Sequence, residues 1–231
     1  MFEESDLATA RYEMKFNARE AACQTVLNRL RVDSARFTSA YPPRVVNSLY
    51  FDTYDLDAFE ENLSGASERC KLRLRWYGAS LDVNSAVFEV KARRNRLGWK
   101  AQQAVSFSRP VTAMGFTEML RELSQQLDAS LALLLSRSPL AVQLNRYHRH
   151  YFESADQRIR VTVDTQLAFY DQRFSNRLSD NRKSNAPNIL VLEYKAAVDH
   201  HPDLAKAVAR VPWPRSRNSK YVIGLCSALG F

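Results

Sequence analysis

The chain has 231 residues, of which 33 are Lys or Arg and 25 are Asp or Glu, so its net charge is +8. A chain of this length can bury a substantial core, and 45% hydrophobic with 25% charged residues is typical of a folded globular protein. Its six glycines form no Gly-x-Gly-x-x-Gly, P-loop or Gly-x-Ser-x-Gly motif, which argues against dinucleotide-binding dehydrogenases, P-loop nucleotidases and nucleophile-elbow hydrolases.

The charge and the cysteines indicate a type of partner and a compartment. Excess cations favour an anionic partner, such as a phosphate compound, a nucleic acid or an acidic membrane. Cys23, Cys70 and Cys226 are odd in number and far apart, which is typical of a reducing compartment. The N-terminus shows no signal-peptide pattern, and no apolar run approaches the roughly 20 residues of a membrane span. We therefore expect a cytoplasmic protein without a membrane span, whose oligomeric state the sequence leaves open.

Alternation of polar with apolar residues predicts nine β-strands, most of them without an intervening helix. They cover residues 11–16, 45–51, 69–76, 87–93, 101–107, 144–152, 158–164, 167–174 and 190–195. Apolar residues at helical spacing predict helices over residues 19–30, 56–63, 117–135 and 204–211. The polar, basic stretch 175–188 is predicted to be a mobile surface segment or a lid. No repeat or linker divides the chain, so we predict one α+β domain over residues 1–231.

The predicted strand 69–76 separates its cations from its apolar residues. Arg69, Lys71, Arg73 and Arg75 alternate with Cys70, Leu72, Leu74 and Trp76. For any single strand, a charged face turned to solvent is the simpler explanation. Several cationic strands side by side would repel one another on such a surface. We therefore expect Arg73→Ala or Arg75→Ala to leave the fold intact or more stable.

A closed antiparallel β-barrel of about eight strands, with helices packed on the outside, offers the cations another position. Its interior would be lined by the charges and filled by a polyanion with a divalent cation, since buried charges must be paired. The cations would then bind phosphate oxygens. Glu13, Glu89 and Glu193 would hold or orient Mg²⁺ or Mn²⁺, which prefer oxygen ligands.

Eight short segments follow one another in an order that is more specific than any one of them. They are residues 12–16 (YEMKF), 50–53 (YFDT), 71–77 (KLRLRWY), 88–91 (FEVK), 145–147 (NRY), 160–165 (RVTVDT), 192–195 (LEYK) and 219–221 (SKY). From about residue 11 to 225, this series resembles the VTC domain. That domain is the catalytic part of the vacuolar transporter chaperone polyphosphate polymerases, within the triphosphate tunnel metalloenzyme superfamily. Arg11 replaces the first Glu of the Glu-x-Glu-x-Lys motif of CYTH enzymes, so the chain is more similar to the VTC branch. Eukaryotic members of that branch add a phosphate-sensing SPX domain and membrane helices, and because this sequence shows neither, it resembles the standalone prokaryotic type.

The resemblance implies a β-tunnel enzyme that uses Mn²⁺ or Mg²⁺ to transfer the γ-phosphate of ATP to a growing polyphosphate chain, with release of ADP. The residues that match phosphate contacts of the family are Lys15, Arg73, Arg75, Lys91, Arg146, Arg160 and Lys220. Further expected substrate contacts are Ser219, Lys195, Lys71 and Lys100. Glu193 matches the metal-binding glutamate of the family, and Glu13 and Glu89 are the other candidate ligands. The attacking phosphate oxygen is already anionic, so such a reaction needs no protein nucleophile.

Two other functions remain open on the sequence. One is a hydrolase of inorganic or nucleoside triphosphate in the same fold, which a complete Glu-x-Glu-x-Lys motif would have favoured. The other is a non-catalytic module that binds polyphosphate or RNA. RNA-binding sheets usually place exposed aromatic residues among cations. Here the aromatic residues of the strands lie opposite the cations, so we expect ATP, polyphosphate or another triphosphate as partner and no nucleic acid.

Overall fold

The computed structural model describes residues 11–94 and 97–231. The first ten residues, which belong to the stretch without a signal-peptide pattern, lie outside the described part. The described elements are β1 (Arg11–Arg19), α1 (Cys23–Val32), β2 (Thr38–Asp52), α2 (Asp57–Ser64), β3 (Glu68–Tyr77), β4 (Ser85–Arg94), β5 (Leu97–Ser106), α3 (Phe116–Gln126), α4 (Ala129–Arg137), β6 (Leu140–Glu153), β7 (Ile159–Asp171), β8 (Ile189–Ala197), α5 (His201–Val208), β9 (Arg215–Ser216) and α6 (Lys220–Leu229). None of these described helices is long and apolar enough to cross a membrane.

The α+β class is confirmed, but the predicted closed barrel is wrong. The nine described strands form one sheet in the order β5-β4-β3-β2-β6-β7-β8-β1-β9. The pairs whose register is described are antiparallel. The order has two ends, β5 and β9, so the sheet is not closed. It contains nine strands, whereas the predicted barrel had about eight. Closure would require hydrogen bonds between the two end strands, and local alternation does not encode such a long-range pairing.

The ends of several elements differ from the prediction. The predicted strands 158–164 and 167–174 form one strand, β7. The predicted helix 117–135 is divided into α3 and α4, because the Asp128 side chain accepts a hydrogen bond from the Leu131 amide and caps a new helix. The helix α6 was not predicted. It begins after Ser219, whose hydroxyl accepts a hydrogen bond from the Val222 amide.

The chain divides into two compact units, each made of three separate segments. The first unit is Met1–Arg44, Tyr147–Leu167 and Pro187–Asn218. The second unit is Val45–Arg146, Ala168–Ala186 and Ser219–Phe231. The strands β2, β6 and β7 contribute residues to both units. One domain over residues 1–231 stays a prediction.

Each unit has its own hydrophobic core, and the predicted apolar strand faces form these cores. In the first unit, Phe16, Val161 and Leu192 pack with residues of α1 and α5. In the second unit, Leu74 and Phe88 pack with residues of α3 and α4. A smaller cluster there joins α2 and α6. Because side chains alternate along a strand, the opposite faces of the same strands are left to the charged residues.

Candidate functional site

Glu89 lies at the centre of an ion network on one face of β3, β4 and β5 in the second unit. It is directly opposite Arg73, whose Nε donates to Glu89 Oε2 over 2.7 Å. Arg75 Nη1 lies 3.4 Å from the same oxygen, and Lys100 Nζ lies 2.8 Å from Glu89 Oε1. Burial alone would raise the pKa of Glu89, but the two arginines and Lys100 outweigh it and lower the pKa to about 2. The carboxylate is therefore ionised at neutral pH although only 5% of the residue is exposed.

Tyr50 extends this network towards α6. Arg73 Nη1 donates to the Tyr50 hydroxyl over 3.0 Å, and the Tyr50 ring stacks on Tyr221 with 4.8 Å between centroids. Burial would raise the pKa of the Tyr50 phenol, but the charges of Arg73, Arg75 and Lys220 lower it. Lys220 thus acts on the same group as the two arginines. Sequence reasoning missed this role of Tyr50, because a tyrosine in an apolar strand gives no local signal of its polar contact.

Three lysines form a row across the same strands. Lys71 is directly opposite Lys91 on β4, and Lys91 is directly opposite Lys100 on β5. Lys71 Nζ also donates to the Ser219 hydroxyl over 2.8 Å, at the start of α6. Like charges placed directly opposite one another destabilise a sheet. An anion that bridged these ammonium groups would remove that repulsion.

A second cluster, in the first unit, is formed by two lysines and two glutamates on β1 and β8. Lys15 is directly opposite Glu193, and Glu13 is directly opposite Lys195. Lys15 Nζ lies 2.7 Å from Glu13 and 3.7 Å from Glu193, and it donates to the Asn218 carbonyl over 3.2 Å. Lys195 Nζ lies 3.3 Å from Glu193 and 3.9 Å from Glu13. Each carboxylate therefore contacts both ammonium groups.

Arg149 lies on β6 and Arg160 on β7, the two strands that precede β8 in the order of the sheet. The Arg149 guanidinium makes two hydrogen bonds, of 2.6 and 2.8 Å, to Asp164, which is fully buried. Burial would lower the pKa of Arg149, but negative charges, first Asp164 and also Glu193, raise it. Arg160 is opposite Lys195, largely exposed, and 3.5 Å from Glu153. Arg149 therefore interacts electrostatically with Glu193 of the first-unit cluster.

Arg146 is a predicted phosphate contact of the second unit that the structure does not bring to the network around Glu89, whereas the predicted contacts Lys15 and Arg160 belong to the first unit. It donates to the Ala79 carbonyl over 2.6 Å, and its Nη1 lies 3.2 Å from Asp180. Arg146 and Arg149 are three residues apart on β6, an odd spacing that places their side chains on opposite faces of a regular strand. The motif 145–147 ends two residues before Arg149, and the sequence prediction named only Arg146.

Glu13 and Glu193 of the first-unit cluster are suitable ligands for a divalent cation whose coordination shell is completed by substrate phosphates. No described group of three or more His, Cys, Asp or Glu side chains is arranged to hold a metal ion. Mg²⁺ is, however, usually bound by one or two carboxylates together with substrate phosphates. Glu13 and Glu193 can supply those carboxylates by exchanging their contacts with lysine. Glu89 differs, because both of its oxygens already face cations.

The family model of the VTC domain matches residues 8–229, nearly the whole chain. The chain belongs to the VTC domain family. The resemblance drawn from eight short segments is therefore confirmed. No curated protein matches this VTC-domain chain in sequence.

Two solved structures are similar to this VTC-domain protein at low identity. One is a putative adenylate cyclase from Vibrio parahaemolyticus, with 13% identity, 87% of this chain and 83% of that chain covered, and a TM-score of 0.44. The other is from the Schizosaccharomyces pombe Mediator head module, with 11% identity, 94% of each chain covered and a TM-score of 0.40. Neither similarity is close enough to bear on function.

Proposed function

We propose that this protein is a metal-dependent polyphosphate polymerase that transfers the γ-phosphate of ATP to polyphosphate and releases ADP. The observation that supports it best is the concentration of cations on one face of β3–β5. Five cations, Lys71, Arg73, Arg75, Lys91 and Lys100, share that face with one buried carboxylate, Glu89. A triphosphate, which carries several negative charges along a short chain, is the complementary ligand.

The two arginines bind phosphate oxygens in this proposal. Their planar guanidinium groups match the geometry of phosphate, and Glu89 holds both of them in place before the ligand arrives. Phosphate oxygens replace part of the Glu89 contacts. At the start of α6, Lys220 and the Ser219 hydroxyl add a positive charge and a donor to the backbone amides of a helix N-terminus, which favour an anion.

The glutamates of the first-unit cluster have a different role. Glu193 and Glu13 would hold Mn²⁺ or Mg²⁺, which when bound neutralises phosphate charge during the transfer. Lys15 and Lys195 keep both carboxylates paired before the cation binds. Arg149 is the further cation that we assign to the first-unit cluster, because its charge acts on Glu193.

The choice between transfer and hydrolysis depends on the attacking group. Hydrolysis needs a water molecule that is oriented and loses a proton, whereas a terminal phosphate of polyphosphate is already anionic. Glu89, with a pKa of about 2, is a weak base at neutral pH. Glu89 is therefore not a candidate for the general base that hydrolysis would need, and an acceptor that is already anionic needs none. A triphosphate hydrolase and a non-catalytic polyanion-binding module are the alternatives.

The test is an assay of the purified protein with ATP and Mn²⁺ that separates ADP, orthophosphate and long-chain polyphosphate. We expect one phosphate to enter the polymer for each ADP that is released. Both products should be lost in Arg73→Lys. The matched control is Arg137→Lys, because Arg137 is an exposed arginine in the last turn of α4. Orthophosphate without polymer would replace the proposal by hydrolysis. Tripolyphosphate binding without any product would replace it by the binding module.

A further inference from the structure

An open cleft in the second unit contains none of the residues of the two charged clusters. Its volume is about 730 Å³, and its lining consists of Leu81, Thr112 and the segment 174–181. Most of this lining, residues 175–181, belongs to the stretch that the sequence marks only as a mobile surface segment or a lid. Its chemistry is therefore not used by the proposed phosphotransfer.

An exposed aromatic ring borders this cleft. Phe174 is 70% exposed, and two guanidinium groups lie at cation–π distance from its ring. The guanidinium carbon of Arg182 is 4.9 Å from the ring centroid and that of Arg173 is 5.4 Å. Bases of unpaired nucleic acid stack on aromatic rings and on guanidinium planes of this kind.

The segment 171–183 is also positively charged. It contains four cations and two carboxylates. Both carboxylates are already paired, Asp171 with Arg173 and Asp180 with Arg146. Three exposed cations follow along the segment, namely Arg177, Arg182 and Lys183. Their charge attracts an anion to the rim of the cleft that holds the ring.

The backbone of the segment is fixed in position. The Gln172 side chain donates to the Ser179 carbonyl over 2.6 Å and accepts from the Ser179 amide over 3.0 Å. Leu178 is buried in the core, and the Phe116 amide donates to the Asn176 carbonyl over 2.8 Å. A ligand would therefore meet a preformed surface and would not have to order a loop, which lowers the free-energy cost of binding.

We propose that this cleft binds a nucleotide, with the base stacked on Phe174 and the phosphate paired with Arg177 and Arg182. The amides of Asn176 and Asn181, both exposed at the cleft, can donate to and accept from base edges. The nucleotide comes either free or as part of a single strand. This inference departs from the expectation of no nucleic-acid partner, which rested on Tyr12, Trp76, Phe88 and Tyr194 and did not consider Phe174. It does not depend on the proposed phosphotransfer.

The test measures fluorescence anisotropy of a labelled single-stranded RNA and of a duplex of the same sequence, with AMP as competitor. We expect the single strand to bind more tightly than the duplex. Phe174→Leu, which keeps an apolar side chain but removes the ring, should weaken binding about fivefold or more, and Phe174→Trp should restore it. Tyr54→Leu is the matched control, because Tyr54 is another exposed ring of the second unit. Arg182→Ala should weaken binding more than Arg137→Ala.

The outcomes distinguish a free nucleotide from a nucleic acid, and others would contradict the proposal. Competition by AMP that depends on Phe174 identifies a free nucleotide, and binding of the strand alone identifies a nucleic acid. Equal binding of duplex and single strand, or equal affinities of Phe174→Leu and the unmodified protein, would overturn the proposal. An acidic peptide that binds through Arg182 but not through Phe174 would replace the nucleotide by a protein partner. Tripolyphosphate binding should be the same in all Phe174 variants, so this test and that of phosphotransfer fail independently.

Discussion

Arg73 and Glu89 stand directly opposite one another on β3 and β4, and the arginine Nε donates to the carboxylate over 2.7 Å. The same carboxylate also binds Arg75 and Lys100. The charges of β3 are therefore not a row of uncompensated cations. The expectation that Arg73→Ala or Arg75→Ala would relieve repulsion does not include this pairing, and the structure favours a loss of stability instead.

Replacement of Glu89 should destabilise the fold. Glu89→Gln leaves three cations around a neutral amide, and the removal of one partner from such a buried network costs about 3–5 kcal/mol of unfolding free energy. Urea unfolding measures this loss. Tripolyphosphate should then stabilise Glu89→Gln more than the unmodified protein, because the phosphates supply the missing negative charge.

The control for this variant is Glu68→Gln on the same strand pair. Glu68 contacts Arg94 over 2.7 Å, but both side chains are about two-thirds exposed. Exposed pairs contribute only about 0–1 kcal/mol. Equal losses in the two variants would mean that burial does not strengthen the Glu89 network.

The Glu89 network should also make stability depend on pH. The pKa of Glu89 in the folded protein, about 2, is lower than its ordinary value of 4.5, so the folded state binds fewer protons than the unfolded state. The stabilisation is therefore complete above about pH 4.5 and is lost as the pH falls towards 2. We expect the difference in unfolding free energy between the unmodified protein and Glu89→Gln to shrink across that window. A constant difference would contradict the assignment.

Strand faces could be predicted from the sequence because they depend on a local period of two. The alternation predicted Leu72, Leu74 and Trp76 as buried, and the structure places all three in the core of the second unit. The same rule shows which residues share a strand face, but not what that face contacts. It states that Arg146 and Arg149 lie on opposite sides of β6, but which of them faces Glu193 depends on the neighbouring strands.

The other differences between the prediction and the structure arise from a single capping residue or from contacts between distant parts of the chain. The leucine stripe of 117–135 continues across the break between α3 and α4, and only the capping contact of Asp128 with Leu131 shows where a helix begins. The assignment of Glu89 as a metal ligand rested on its residue type. Its contacts with cations from β3 and β5 became visible only with the strand register.

Arg149 should matter more for turnover than Arg146. Arg149→Lys keeps the charge but loses the two-pronged contact with Asp164, and we expect kcat/KM to fall about tenfold or more. Arg146→Lys, whose contacts are with Ala79 and Asp180, should change kcat/KM much less. Both are measured below the unfolding temperature of each variant. Equal losses, or a loss in Arg149→Lys that follows the unfolded fraction, would contradict a role of Arg149 at the first-unit cluster.

Removal of divalent cations should stop turnover without unfolding the protein. Lys15 and Lys195 contact both Glu13 and Glu193, so the carboxylates remain paired when a chelator removes the metal. In the proposed reaction the metal would contribute several kcal/mol to charge neutralisation, so its loss should lower the rate by about a hundredfold or more. Thermal unfolding with and without EDTA, followed by addition of Mn²⁺, measures both effects. Glu193→Gln should require more Mn²⁺ for half-maximal turnover, whereas Glu68→Gln should not. A large fall in Tm on chelation would mean that the glutamates depend on the metal and not on the lysines.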